Sequence, residues 1–112
     1  MQQINDTLTI LYVTYSDAAQ AEKHIADLLE ARLIACANII PQMTSFYWWQ
    51  GKIEQGNELI VLFKTRNSLK QEVMTWLKRN HSYNTPCVME LPVGAVDGKY
   101  LQWILDETGD HK

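Results

Sequence analysis

Four consecutive aromatic residues, from Phe46 to Trp49, lie between two extended apolar runs and directly before a glycine-containing turn. The stretch from Ala35 to Arg66 therefore predicts a long β-hairpin that turns at residues 50–52. Each aromatic side chain can bury about 150–250 Å². Because so much apolar surface is costly to hydrate, we expect both faces of this hairpin to be covered.

The rest of the chain predicts alternating strands and helices. Apolar and β-branched runs predict strands over residues 7–15, 34–50, 58–66 and 87–93, and helical spacing predicts helices over 18–33 and 67–80 and a short closing helix after Asp97. The order βαββαβ is typical of the ferredoxin-like α+β fold, a four-stranded antiparallel sheet with both main helices on one face. The predicted strand 34–50 would span about 55 Å at about 3.3 Å per residue, so the hairpin should project.

Several polar side chains of the two main helices can be placed from local signals. Ser16 or Asp17 is expected to cap the first helix, since both offer side-chain oxygens directly before the helical pattern. Ser68 and Gln71 have the spacing of a capping box in the second helix. His24 lies off the apolar stripe of the first helix, so we expect it to be solvated.

Proline and glycine residues divide the hairpin. Pro41 has no N–H for a sheet ladder and predicts an edge position or a β-bulge. Gly51 and Gly56 bracket the polar segment 52–55, which is expected to connect the two strands. The returning strand should therefore begin at Glu58.

Composition and charge narrow the range of functions that we expect for this chain. The 112 residues carry 13 acidic and 10 basic side chains and a formal charge of −3, without a basic cluster, so we expect no nucleic-acid partner. Two cysteines are too few for a disulfide framework, and the N-terminal stretch has neither a signal-peptide pattern nor an uninterrupted apolar span. These features predict a single domain over residues 1–112, in the cytoplasm and without a membrane partner.

The projecting hairpin predicts self-association. A two-stranded ribbon with apolar side chains on both faces is not stable alone in water, and its open edges pair readily with other chains. Heterologous contacts between identical chains can close into rings, so we expect a homotrimer or another cyclic assembly. Its interface is predicted to contain Phe46, Tyr47, Trp48 and Trp49. For Trp48 and Trp49, the alternative to a binding role is packing in the core or in the interface.

Several motifs resemble one known family in their order and spacing. They are the segments 35–41 (ACANIIP), 44–52 (TSFYWWQGK), 58–65 (ELIVLFKT), 81–86 (HSYNTP) and 100–103 (YLQW). From about Leu8 to Leu105 the chain resembles the CutA family of divalent-cation tolerance proteins. The resemblance implies a ferredoxin-like protomer in a tight homotrimer, a cytoplasmic location in bacteria, and a link to copper and other divalent cations. It also implies structural kinship with the PII signalling proteins, which are trimers that bind small effectors between subunits.

The resemblance also implies a ligand site. It places the loop that contains His81 and Tyr83 at a cleft between subunits, where an imidazole, a carboxylate and an ammonium among aromatic rings would bind a small polar ligand or an anion. The candidate ligand-binding residues are Trp49, Glu58, Lys64, His81, Tyr83 and Trp103. The alternative is an interface network in which Glu58 pairs with Lys64 and the aromatic rings only pack.

Metal ligands are fewer than the resemblance would suggest. Some family members have a cysteine near the end of the first strand and paired histidines before the loop, whereas this chain has Val13 and then Asn80 followed by His81. His81 is therefore the metal candidate, and one histidine does not make a site. Sulfur ligands would have to come from residues that are usually inert in apolar strands, namely Cys36, Cys87, Met43 and Met89. We expect no required cofactor and only weak binding of a divalent metal such as copper.

Two other activities of the same fold find no support in the residues. An acylphosphatase needs an arginine in a phosphate-binding loop after the first strand, but residues 14–17 read TYSD. An RNA-recognition module needs exposed aromatics in a basic third strand, but residues 59–65 read LIVLFKT. We therefore expect no enzymatic activity. Two hypotheses remain: a trimeric copper tolerance or homeostasis protein, and a PII-like trimer that binds an effector or acts as a scaffold.

Overall fold

The structure is a computed structural model that describes residues 6–110. Its strands and helices are, in chain order, β1 (Leu8–Tyr15), α1 (Ala18–Glu30), β2 (Cys36–Trp49), β3 (Lys52–Arg66), α2 (Lys70–Asn80), β4 (Val88–Pro92) and α3 (Gly98–Glu107). A short 3-10 turn, Asn67–Leu69, precedes α2. The sheet has the order β2-β3-β1-β4 with antiparallel pairing throughout. The predicted ferredoxin-like α+β fold, with β1 as a central strand, is confirmed.

The core lies between one face of the sheet and the helices α1 and α2. Alternate residues of β1, namely Leu11, Val13 and Tyr15, are fully buried on this face. They form one cluster with Val61 and Phe63 of β3 and with four helix residues, Ala21, Leu28, Val73 and Leu77. The period-two pattern of the strands and the apolar stripe of each helix therefore meet in a single layer.

The first helix is shorter than its predicted range of 18–33. Asp17 is the cap, accepting a hydrogen bond from the N–H of Ala19 at 3.0 Å. At the other end, the N–H of Arg32 bonds to the carbonyl of Leu29 and the N–H of Leu33 to that of Leu28. These two hydrogen bonds, together with the φ of 61° at Arg32, form a Schellman motif that ends the helix at Glu30.

The predicted capping box at the start of α2 is wrong. The helix begins at Lys70, after the 3-10 turn, and its cap residue Leu69 makes no side-chain hydrogen bond. The Ser68 hydroxyl instead donates to the carboxylate of Asp6, which also accepts the N–H of Ser68. A tertiary contact with the start of the chain therefore replaces the local one.

The returning strand of the hairpin, β3, begins earlier than predicted, at Lys52 instead of Glu58. Gln50 at φ 51° and Gly51 at φ 81° form a two-residue turn with positive φ at both positions, so Trp49 pairs directly with Lys52. Residues 52–55, predicted as a connection, are the first part of β3. Gly56 also lies within the strand, opposite Ser45, where an added Cβ would come 3.3 Å from the Tyr47 hydroxyl.

The predicted edge position and bulge at Pro41 are confirmed. The pairing of β2 with β3 shifts register between Ile40 and Met43, and Gln42 adopts a φ of 61°. Pro41 therefore lies on the outer strand of the sheet, at the point where the ladder is interrupted. Beyond this point β2 and β3 project, and the protein measures 56 × 29 × 21 Å along its principal axes.

The closing helix is held by two arginines. Asp97 caps α3 by accepting hydrogen bonds from the N–H groups of Lys99 and Tyr100. At the opposite end, Arg66 donates to the carbonyl oxygens of Leu105 and Thr108 and to the Thr108 hydroxyl. Arg32 forms an ion pair with Glu107 at 2.8 Å. These contacts satisfy carbonyl groups that the end of a helix leaves without partners.

Candidate functional site

His81 lies at the C-terminal cap of α2 and is buried, with 8% of its surface exposed. Its Nδ1 accepts a hydrogen bond from the N–H of Tyr83 at 3.1 Å, so its Nε2 carries the proton and donates to the carbonyl oxygen of Thr14 at 2.8 Å. The ring also stacks on Tyr15 with a centroid distance of 4.6 Å. Backbone groups of β1 and of the following loop therefore fix both the tautomer and the orientation of this imidazole.

Glu58 is the centre of a half-buried polar cluster at the base of the projecting hairpin. One carboxylate oxygen accepts from the Ser45 hydroxyl at 2.6 Å and the other from the Tyr83 hydroxyl at 2.7 Å. Burial is the main cause that raises the pKa of Tyr83, followed by its contact with Glu58, so the phenol keeps its proton and donates. The carboxylate thus has two donors from hydroxyl groups and is held between β2 and the loop after α2.

Cys87 adds a thiol to this region. It is half-buried directly before β4, and it is free, as is Cys36. Burial raises the pKa of the Cys87 thiol, and the nearby charge of Glu58 raises it further. Because the thiolate is the nucleophile and the metal ligand, these surroundings disfavour both roles.

The expectation that His24 is solvated is wrong, because only 5% of its surface is exposed. Its Nδ1 lies 2.8 Å from the Tyr15 hydroxyl, and its ring makes an edge contact with Trp76 at a centroid distance of 5.0 Å. Burial raises the pKa of Tyr15 well above its ordinary value, so this hydroxyl donates to His24. The sequence contained a signal for this burial, since Ala21, His24 and Leu28 are spaced as one side of a helix.

The six predicted ligand-binding residues occupy three places in one chain. Glu58, His81 and Tyr83 lie together, with the Tyr83 ring 4.5 Å from that of His81. Lys64 lies elsewhere, with its Nζ 3.4 Å from the Tyr100 hydroxyl, and Tyr100 in turn lies beside Trp103 at 5.8 Å between ring centroids. The sixth residue, Trp49, ends β2 at the hairpin turn. Sequence reasoning missed Ser45. Met43 pairs with Glu58, and Ser45 pairs with Gly56 two residues further along each strand. Because side chains alternate along a strand, Ser45 lies on the same side of the hairpin as Glu58.

Metal ligands do not cluster in the described part of the chain. Residues 6–110 contain no group of three or more His, Cys, Asp or Glu side chains arranged to hold a metal ion. Both ring nitrogens of His81 are occupied by backbone hydrogen bonds. The side chain of Asn80 bonds to the carbonyl of Trp76, and Val13 belongs to the core. A metal at His81 would therefore have to displace one of these hydrogen bonds.

The hairpin tip exposes large apolar side chains in the single chain. Phe46, Trp48 and Ile53 share one side of the hairpin and are 67%, 72% and 67% exposed. Tyr47 and Trp49, on the other side, are 46% and 48% exposed. The two tryptophans therefore do not pack into the core of their own chain.

Comparison with known proteins gives consistent matches. The profile of the CutA1 divalent ion tolerance protein matches residues 9–107. The divalent-cation tolerance protein CutA of Pyrococcus horikoshii is 41% identical over 101 residues, which cover 90% of this chain and 98% of that protein. The crystal structure of CutA1 from Ehrlichia chaffeensis has a TM-score of 0.89 and 32% identity, over 95% of this chain and 99% of that one. A structure described as the periplasmic CutA of Archaeoglobus fulgidus has a TM-score of 0.85 and 38% identity, over 89% and 97%.

The matches agree with the motifs and the fold. Both the sequence relatives and the solved structures extend over nearly all of the chain, including the long hairpin and the loop that begins at His81. Between residues 6 and 110, no helix is long and apolar enough to cross a membrane. The profile match and the identity over most of both chains show that this chain belongs to the CutA1 divalent ion tolerance protein family.

Proposed function

We propose that this protein is a homotrimer that acts in divalent-cation tolerance and homeostasis, with copper as a principal cation. Family membership supports the tolerance role, since the relatives are named for it. Those names describe tolerance proteins and not enzymes, which supports a non-enzymatic role. The assembled state is the part of this proposal that the geometry of the chain supports most directly.

The exposed hairpin is the observation that carries the proposed assembly. Trp48 and its cross-strand partner Ile53 are about two-thirds exposed or more, and Phe46 beside them is equally exposed. A patch of large apolar side chains on a two-stranded ribbon is typical of an interface with another protein chain. In a closed trimer, each hairpin would lie along a neighbouring subunit, so that its apolar side chains and its strand edges would be covered.

A cleft between subunits is the proposed place for a bound cation or a small polar ligand. Within one chain Glu58, His81 and Tyr83 lie together, whereas Lys64 and Trp103 lie beside Tyr100 and Trp49 lies at the hairpin end. Contact between copies is the way in which these groups would come to share one site. Because hydrogen bonds occupy both nitrogens of His81, we propose that metal binding there is weak.

We also propose that the protein works in the cytoplasm. The two free cysteines, Cys36 and Cys87, suit a reducing compartment. The relative from Archaeoglobus fulgidus is described as periplasmic. Fractionation of the native cells, with antibody detection of the chain, would separate these two locations.

The assembly and the metal can be tested in one series on the purified protein. Light scattering at micromolar concentration should give the mass of three chains, and the mass of one chain would contradict the proposal. Calorimetric titration of the same sample with Cu²⁺ should show binding weaker than micromolar. A stoichiometric, submicromolar site that is lost in His81→Ala would overturn the expectation of weak binding at this residue. His24→Gln, which changes a second buried histidine, is the matched control for that variant.

The second candidate is a PII-like trimer that binds a small effector or acts as a scaffold. The cluster of Glu58, Tyr83 and His81 favours it, because hydrogen bonds preorganise these groups as a ligand site requires. Titration with a panel of nucleotides, followed by thermal shift, separates the two candidates. Saturable binding of a nucleotide, reduced in Tyr83→Phe, would favour the effector role over the metal role.

A further inference from the structure

A cavity of about 970 Å³ lies between helix α2 and the loop that leads into β4. Its volume is at the upper end of the range of small-molecule sites, about 300–1,000 Å³. One wall is a single face of α2, since Gln71, Thr75 and Lys78 follow each other at helical spacing. The segment 84–86 forms the opposite wall. The cavity is lined by other residues than the cluster around Glu58.

The cavity carries two positive side chains. Lys78 and Arg79 belong to the last turn of α2, and both line the cavity. Among residues 6–110, no acidic side chain lines it, and the ion pairs involve neither of these two cations. The C-terminal end of a helix carries only about half a negative elementary charge, which two cations exceed. The cavity is therefore positively charged, although the whole chain has a formal charge of −3.

The rest of the lining combines hydrogen-bonding groups with apolar surface. Asn84 and Thr85 contribute an amide and a hydroxyl from the loop. Met74, Pro86 and Val88 contribute apolar surface. Met74 and Val88 are half-buried and pack against the core, so their positions are set by the fold. The cavity thus offers a charged part and an apolar part to one ligand.

The loop wall of the cavity is held in place by contacts outside the cavity. The Ser82 hydroxyl donates to the side chain of Gln20 at 3.2 Å, and the Tyr83 hydroxyl donates to Glu58 at 2.7 Å. Pro86 has a fixed φ and stiffens the end of the loop. A wall that is already ordered lowers the entropy cost of binding a ligand.

We propose that this cavity binds a small phosphate monoester, with the phosphate on Lys78 and Arg79 and the esterified apolar group over Met74 and Val88. A guanidinium donates two parallel hydrogen bonds to phosphate oxygens, and an ammonium adds a point charge. A phosphate monoester carries about two negative charges at neutral pH, which matches the two cations. Inorganic phosphate would leave the apolar surface uncovered, and an uncharged ring would leave both cations without an anion. This site is additional to the proposed function and does not depend on it.

Titration with phenyl phosphate, followed by two-dimensional NMR of the isotope-labelled protein at constant ionic strength, tests the site. The backbone signals of Thr75, Arg79 and Thr85 should shift and reach saturation. Inorganic phosphate and phenol each carry one part of the ligand and should bind at least about fivefold more weakly. Shifts that do not saturate, or that occur only elsewhere in the protein, would overturn the site. Equal affinities for phenyl phosphate and inorganic phosphate would overturn the role of the apolar surface.

Substitution of the two cations tests which groups hold the phosphate. Both side chains are exposed, so Lys78→Gln and Arg79→Gln should fold, which circular dichroism checks. Each variant should raise the dissociation constant of phenyl phosphate by about tenfold, because each removes a charged donor. Arg79→Lys keeps the charge but loses the paired donors, and its affinity should lie between those of the wild type and Arg79→Gln.

The matched control is Lys99→Gln, which removes one exposed positive charge from α3. It should bind phenyl phosphate as the wild type does. An equal loss of affinity in this control would show that general attraction between charges causes the binding, and would refute the site.

The outcomes separate this inference from the proposed function. A chain that is monomeric, or that binds no copper, would contradict the proposed function and leave the phosphate site intact if phenyl phosphate still binds. A trimer in which a neighbouring subunit fills the cavity would bind no phenyl phosphate. Absence of binding therefore refutes the site while the assembly stands.

Discussion

At the scale of the residue, His24 is the position where burial has the clearest chemical consequence. Its pKa is lowered from the ordinary value, first by burial and then by the neighbouring His81. The backbone carbonyl of Asn80 and the carboxylate of Asp27 act in the opposite direction, and Lys23 lowers the pKa slightly. The folded protein therefore holds this histidine neutral at a pH where the unfolded chain binds a proton.

This difference predicts a pH-dependent stability. Between the ordinary histidine pKa of about 6.5 and the lower folded value, the unfolded state binds more protons, so the free energy of unfolding falls as the pH falls. One proton gives a slope of at most about 1.4 kcal/mol per pH unit. Urea unfolding at constant protein concentration from pH 8 to pH 5 should show a flat region and then this loss.

The matched variant is His24→Gln, whose amide can accept from Tyr15 without titrating. It should have a flatter profile below pH 6.5 than the wild type, whatever its absolute stability. Profiles that decline in parallel would show that other groups cause the acid sensitivity.

At the scale of the element, α3 depends on a contact with the end of β3. Arg66 supplies three hydrogen bonds to the last turn of the helix, to the carbonyls of Leu105 and Thr108 and to the Thr108 hydroxyl. It also lies 3.8 Å from the carboxylate of Asp6. One side chain therefore joins the start of the chain, the sheet and the closing helix.

Arg66→Met should detach the end of α3 while keeping an apolar stem of similar length. The carbonyl groups would lose their charged donor, and we expect a loss of about 2–3 kcal/mol in the free energy of unfolding. Lys99→Met, an exposed substitution on the same helix, should change it by no more than about 0.5 kcal/mol. Chemical denaturation of both variants measures the difference, and equal stabilities would show that the hydrogen bonds of Arg66 do not stabilise the folded chain.

At the scale of the whole molecule, the projecting hairpin makes it possible to test the stability of the single chain separately from that of the proposed assembly. Trp48 is 72% exposed in one chain and faces Ile53 across the strand pair. Removing its ring should therefore cost the isolated chain little. A large loss of stability would have to come from contacts with another copy.

Trp48→Ala should raise the dissociation constant of the assembly by an amount equivalent to about 2 kcal/mol or more, as for an aromatic residue at the centre of an interface. Leu29→Ala on α1 is the control, since Leu29 is 39% exposed but lies away from the hairpin. The Leu29→Ala substitution should change the free energy of dissociation by less than about 0.5 kcal/mol. Light scattering on dilution measures both, and equal effects would remove the hairpin from the interface.

The sequence by itself determined the element order and the existence of the long hairpin. These features are encoded by local patterns: alternation in the strands, apolar stripes in the helices, and punctuation by Pro41 and Gly51. Local signals also identified Asp17 as a candidate cap and the bulge beside Pro41. Short-range periodicity is sufficient where neighbouring residues along the chain set the structure.

Only the tertiary structure decided which distant groups meet. The contact partners of His24 are Tyr15 and Trp76. The donors to Glu58 come from β2 and the loop after α2, and Ser68 bonds to Asp6 instead of capping its helix. The separation of the six candidate ligand-binding residues into three places likewise depends on how the chain folds. These contacts join residues far apart in sequence, and their geometry is set by the packing of helices on the sheet, which no local pattern encodes.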